Sequence, residues 1–120
     1  MNRPVVLAET AMVSLEEIKH FQLSAMLRQG HSYESGMDEA QAFVADLVRN
    51  STGSIADGIV TWGYDVDMAN LGISVKKWFD NKTGYLCFFD DSGSQIAVLY
   101  YASPKQDYIN ALYRLTTIYQ

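Results

Sequence analysis

The spacing of apolar positions along this chain changes character near Gly84. Before that point apolar residues recur every three to four positions, the period of a helix with one buried face. Leu15, Ile18, Phe21, Ala25 and Met26 form one such stripe. Ser14, with Glu17 three residues on, has the spacing of a capping box, and Gly30 offers a left-handed stop. His31 to Gly36 reads as a loop. Ala40, Phe43, Val44, Leu47 and Val48 make a second stripe, with Asp38 and Gln41 as its box and Asn50-Ser51-Thr52-Gly53-Ser54 as its end. Ser54 to Gly63 is ambiguous: Ser54 can cap a short helix turning Ile55, Ile59 and Trp62 inward, while Gly58 and Gly63 weaken it. Asp67 can cap a further helix with Met68, Leu71, Val75, Trp78 and Phe79 on one face. Gly72 either costs that helix about 1 kcal/mol or divides it at a turn.

After Gly84 the pattern suits strands. Tyr85-Leu-Cys-Phe-Phe89 and Gln95-Ile-Ala-Val-Leu-Tyr-Tyr101 are rich in aromatic and β-branched residues, and Asp90-Asp-Ser-Gly-Ser94 between them reads as a hairpin loop. Both faces of this hairpin are apolar, whereas a hairpin with one wet face alternates apolar and polar residues. Under strict alternation Ile96, Val98 and Tyr100 share one face, and Ala97, Leu99 and Tyr101 the other. Both faces therefore need a cover. Helices can sandwich the hairpin, a third strand at Pro4–Ala8 can join it, or a second copy of the chain can complete it as a homodimer. Ser103-Pro104 opens a last helix, with Gln106 in its box and Tyr108, Leu112, Leu115 and Tyr119 facing inward. The expected architecture is one compact α+β domain over residues 1–120. It has four to five helices around a buried two-stranded antiparallel hairpin, with a third strand as the alternative, and it ends in a C-terminal helix.

The chain has 120 residues and a formal net charge of −5, with nine Lys and Arg against fourteen Asp and Glu. A protein that binds nucleic acid through phosphates needs clustered cations, and these are scattered. The balance points instead to solubility or a basic partner. A single cysteine, Cys87, excludes an internal disulfide, and in its apolar run it reads as core. The N-terminal residues contain no apolar segment of signal-peptide length before their charges, and nothing later has the length of a membrane span, so a cytoplasmic protein is expected. Asn50-Ser51-Thr52 and Asn81-Lys82-Thr83 match the glycosylation pattern but are read as turn residues.

Val75-Lys-Lys-Trp-Phe-Asp-Asn-Lys82 resembles the recognition helix of the homeodomain family, where a Trp-Phe pair anchors the helix and an Asn two positions later reads adenine. That resemblance implies Trp78 and Phe79 as anchors and Asn81 as reader. Leu71-Gly-Ile-Ser74 is similar to the turn of bacterial helix-turn-helix regulators, which implies a winged helix with the 90–94 loop as wing tip. The segment departs from these patterns: no basic arm precedes it, Thr83-Gly-Tyr-Leu follows it, and Asp90 and Asp91 occupy the tip where phosphate would approach. Catalytic signals are sparse as well. Glu17 and His20 have half of a di-iron carboxylate spacing without a second pair, and Asp65 to Asn70 begins like a calcium loop but has Ala69 at a ligand position. No catalytic, cofactor or metal residue is assigned.

The expected function is therefore a non-enzymatic acidic module that binds and blocks a basic partner protein, in the manner of immunity proteins, antitoxins or phage inhibitors. Its expected patch is Trp62, Tyr64, Asp65, Asp67, Asp90 and Asp91, where aromatic and acidic residues coincide in loops. The alternative is a winged-helix-like DNA regulator using segment 67–82 through Lys76, Lys77 and Asn81. A small enzyme or ligand-binding dimer is the third reading.

Overall fold

The computed structural model describes residues 3–58 and 75–104. They form β1 (Val5–Leu7), α1 (Glu9–Arg28), α2 (Tyr33–Ala56), β2 (Lys76–Phe79), β3 (Leu86–Asp90) and β4 (Ile96–Ala102). The four strands make one sheet in the order β1-β4-β3-β2, with β1 parallel to β4 and the other pairs antiparallel. The fold is α+β, but four to five helices around a two-stranded hairpin is corrected: the described residues hold two helices and a four-stranded mixed sheet. Residues 67–74 of the third expected helix lie outside the described residues, and so does the expected C-terminal helix beyond Pro104.

The largest departure from the sequence reading is β2, where the apolar spacing predicts a helix. Turn chemistry decides it. Asp80 is buried, and its Oδ1 accepts the Lys82 N–H at 3.0 Å while its Oδ2 accepts the Thr83 hydroxyl at 2.6 Å. Its carbonyl accepts the Gly84 N–H at 2.7 Å, and Gly84 adopts a φ of +81°. Such a closed turn reverses the chain and lays Lys76–Phe79 antiparallel against Leu86–Phe89. Val75, Trp78 and Phe79 also suit a strand, so turn and residue preference together override the helical spacing. The turn reading of Asn81-Lys82-Thr83 holds, whereas Asn50-Ser51-Thr52 lies within α2.

β3 and β4 pair as expected, but not in simple alternation. Phe88 faces Tyr100 and Phe89 faces Val98, which leaves Leu99 as the extra residue of a bulge. Leu99 and Tyr100 consequently share one face, with Val75, Phe88 and Ala102 in one buried cluster. Tyr101 turns to the opposite face, where Ile96, Val98, Cys87 and Phe89 meet Ala11, Leu15, Ile18, Leu47 and Ile55 of the helices.

α1 begins at Glu9, earlier than the expected Ser14 cap. Ser14 is buried inside the helix; its hydroxyl donates to the Ala11 carbonyl and accepts the Tyr101 N–H at 3.1 Å. Thr10 fastens the same turn by donating to the Leu99 carbonyl. The left-handed stop is confirmed: Gly30 has a φ of +94°, its N–H bonds the Leu27 carbonyl, and the His31 N–H bonds Met26. α2 starts at Tyr33, where the Ser32 hydroxyl accepts the Ser35 N–H, and runs through the expected breaker Asn50–Ser54 to Ala56. Ser51 and Thr52 both donate to the Val48 carbonyl, so their hydroxyls are satisfied without leaving the helix.

The helices meet the sheet through only part of their length. The buried contacts come from Ala11, Leu15 and Ile18 on α1 and from Leu47 and Ile55 on α2, with Phe43, Val44 and Val48 beside them. Toward the 28–33 connection the helices pack on each other, where Leu23 and Ala40 are buried. A Cβ at Gly36 would lie 3.1 Å from Leu23 Cδ1 and 3.3 Å from Met26 Cβ, so the absence of a side chain there allows close approach.

Candidate functional site

The residues expected to hold a partner are only partly within view. Trp62, Tyr64, Asp65 and Asp67 lie outside the described residues. Asp90 and Asp91 flank the β3–β4 loop and are engaged locally. Asp90 Oδ1 accepts the Ser92 N–H at 2.9 Å and its hydroxyl at 2.6 Å. Asp91 Oδ2 holds the Lys76 ammonium at 2.8 Å, and the Asp91 carbonyl accepts from Arg3, which also reaches the Gly93 carbonyl at 3.0 Å. These acids close a loop and tie it to the β1 and β2 edges of the sheet.

The groups suggested for DNA reading lack the helix that the homeodomain resemblance requires. Lys76 and Lys77 stand on β2, where alternation places them on opposite faces, and Asn81 is exposed in the β2–β3 turn. Lys76 is paired with Asp91, so the lysines do not form one cationic stripe along a helix.

Charge is distributed very unevenly along the chain. Residues 9–57, from the start of α1 to the cap of α2, contain eight acids against three bases, and the remainder of the sequence contains six against six. The whole net charge of −5 therefore belongs to the helical hairpin. Large apolar side chains are exposed on the same hairpin: Met12, Val13, Phe21, Leu27 and Tyr33, with Tyr33 63% exposed and Phe21 51%. The helical spacing places Phe21 in the core stripe, and the structure exposes it. Leu23 is buried instead, because beyond the sheet α1 packs on α2, where Leu23 lies against Gly36.

Between the helices lies an open groove of about 230 Å³. Met26 and Gln22 line it from α1, and Glu39, Ala40, Ala42, Phe43 and Asp46 line it from α2. The spacing explains this: positions 22 and 26 share one helix face, and positions 39, 42, 43 and 46 share another. The Phe43 ring also meets Tyr85 edge-on, with centroids 5.5 Å apart, which fixes the groove floor to the sheet. Among the described residues Glu39 has no ion-pair partner, whereas Asp46 is paired with Arg49 on the exposed helix surface. Charge summed over the whole chain hides this surface, whereas charge counted by segment reveals it.

Beneath the sheet, Tyr101 Oη and Ser51 Oγ lie 2.8 Å apart, and Cys87 packs beside Tyr101. Burial pushes the Cys87 thiol up from 9.0 to about 12, and the hydrogen bond with Tyr101 offsets only part of this. Burial also raises the Tyr101 hydroxyl, reinforced by the nearby Cys87 charge. Both groups are held neutral, unlike a nucleophilic thiolate, and they act as core. Among the described residues no three His, Cys, Asp or Glu side chains are grouped to hold a metal, and no helix is long and apolar enough to cross a membrane. No family model matches the chain, and no curated protein matches it.

Proposed function

We propose that the protein is a non-enzymatic binding module whose acidic helical hairpin docks on, and blocks, a basic surface of another protein. The observation that carries this reading is the coincidence on α1 and α2 of the entire net charge with exposed Phe21, Leu27 and Tyr33. Aromatic and aliphatic anchors supply buried area, and surrounding acids accelerate encounter with a cationic partner. Of the expected patch Trp62, Tyr64, Asp65, Asp67, Asp90 and Asp91, the last two are engaged within their own loop, and this reading centres on the helical hairpin instead.

Photo-crosslinking amino acids placed at Phe21, Tyr33 and Ser92 test the reading in the source cells. Crosslinked protein is expected from the first two sites and not from the third. The purified partner should then bind the wild type more tightly than a Glu34→Lys/Asp38→Lys variant, with the loss mainly in the association rate at low salt. Crosslinking only at Ser92, or adducts with nucleic acid alone, would overturn it.

A further inference from the structure

The geometry points to the groove between α1 and α2 as the receptor for one long cationic side chain, Lys or Arg, presented by the partner protein. This rests on the protein-binding reading above and names the place and the chemistry of recognition. The cavity, about 230 Å³, is below the roughly 300–1,000 Å³ of typical small-molecule pockets, and it is open rather than enclosed. One extended side chain suits it better than a free ligand.

Its lining has two parts. Met26 and Phe43 give an apolar floor on which the methylenes of a Lys or Arg can lie, while Glu39 and Asp46 bring two carboxylates to the same lining. A cation with a long apolar stem satisfies both, because such side chains bury the stem and keep the head among polar groups. Phe43 also offers a ring face or edge to an approaching cation, supported from behind by Tyr85. Ala42, small and exposed, leaves room for a partner backbone to come close.

Charge selects the occupant. A second copy of this chain would bring another hairpin of net −5 against the first, so self-association through this face is opposed. Asp46 is held only by Arg49, an exposed pair of i,i+3 spacing with the two side chains 58% and 71% exposed. Such pairs contribute little, so the incoming cation can exchange with Arg49 without loss of stability. Glu39 is already available among the described residues.

The probe is a synthetic amphipathic helical peptide of Leu and Lys with one central Lys. Its controls replace that Lys by norleucine, or all Lys by Gln. Binding to the full chain is followed by titration and by the methyl resonances of Met26, Ala40 and Ala42. The expected result is a shift of these three methyl signals, saturating with the peptide. The norleucine control and the Glu39→Gln/Asp46→Asn protein should each weaken binding at least fivefold. Ala42→Trp, which fills the groove from an exposed position, should abolish the methyl shifts. Unchanged affinity in both the Glu39→Gln/Asp46→Asn and Ala42→Trp proteins would overturn the groove. If Glu34→Lys/Asp38→Lys still weakens the peptide in that case, the hairpin reading survives while the groove fails. Equal binding of the all-Gln peptide would remove the role of charge, and with it both readings. Concentration-dependent dimerisation through the same methyl groups, without peptide, would assign the groove to a second copy and overturn the proposal.

Discussion

The helical hairpin and the sheet use charge in opposite ways. On residues 9–57 acids exceed bases by five, and the described ion pairs there are short-range, Glu16 with Lys19 and Asp46 with Arg49, along one helix. In the sheet the charged groups join distant segments: Lys76 reaches Asp91 across two strands, and Arg3 reaches the carbonyls of Asp91 and Gly93. Apolar residues divide the same way. The sheet buries Phe88, Phe89 and Tyr101 almost completely, whereas the hairpin leaves Phe21 and Tyr33 more than half exposed. One region has committed its side chains to stability, and the other still presents them to solvent.

The sharpest way to break this comparison is to delete one large side chain from each region. Phe88→Ala removes a fully buried ring from the second sheet cluster and should cost about 3–5 kcal/mol by urea denaturation. A loss below about 1 kcal/mol would show that this face of the sheet is not packed as described.

A smaller effect is expected where the helices leave the sheet. Gly36→Leu places a side chain against Leu23 and Met26, already 3.1 and 3.3 Å from a single Cβ. Overpacking should cost about 1–3 kcal/mol. Hydrogen exchange should report the loosening in residues 22–40, with the sheet amides unaffected. Equal loosening of β3 and β4 would mean that the hairpin and the sheet open as one unit.

Tyr101→Phe removes the hydroxyl that meets Ser51 and Cys87, at a cost of about 1 kcal/mol. The same network predicts a pH response. Folding raises the Cys87 thiol from 9.0 to about 12, so the neutral thiol is favoured in the folded state. Its contribution is fully present below pH 9 and is lost as pH rises toward 12. The urea midpoint should therefore fall above pH 9, and Cys87→Ala should fall less steeply. Identical alkaline profiles for the two proteins would exclude the thiol as the cause.

The smallest effects belong to the presented surface. Phe21→Ser and Arg49→Ala should each change stability by no more than about 0.5 kcal/mol. A loss above about 2 kcal/mol from Phe21→Ser would show a buried role and withdraw that residue from the binding surface.

Several local decisions were legible in the residues themselves. Gly30 stops α1 because it alone tolerates the left-handed backbone there, and the stripe Ala40 to Val48 faces inward because a helix repeats every 3.6 residues. The apolar character of both hairpin faces was also visible, as was the burial of Cys87. The acidic weight of residues 9–57 was written in the sequence too, but it acquires meaning only once those residues are one helical arm.

Other features depended on contacts between distant segments. Val75 to Phe79 has a helical spacing and strand-forming residues at once, and only the closed turn at Asp80–Gly84 together with β3 selects the strand. Ser14 looks like a helix cap until Tyr101, eighty-seven residues away, supplies the N–H that makes it an interior residue. Tyr101 reaches that face because a bulge at Leu99 breaks the alternation of β4, and register with a neighbouring strand is not a property of β4 alone. Local patterns determined turns, caps and the apolar faces, since those follow from backbone geometry within a few residues. Strand pairing, the exposure of Phe21 and the groove above Phe43 follow from which surfaces meet, and that is decided only when the whole chain folds.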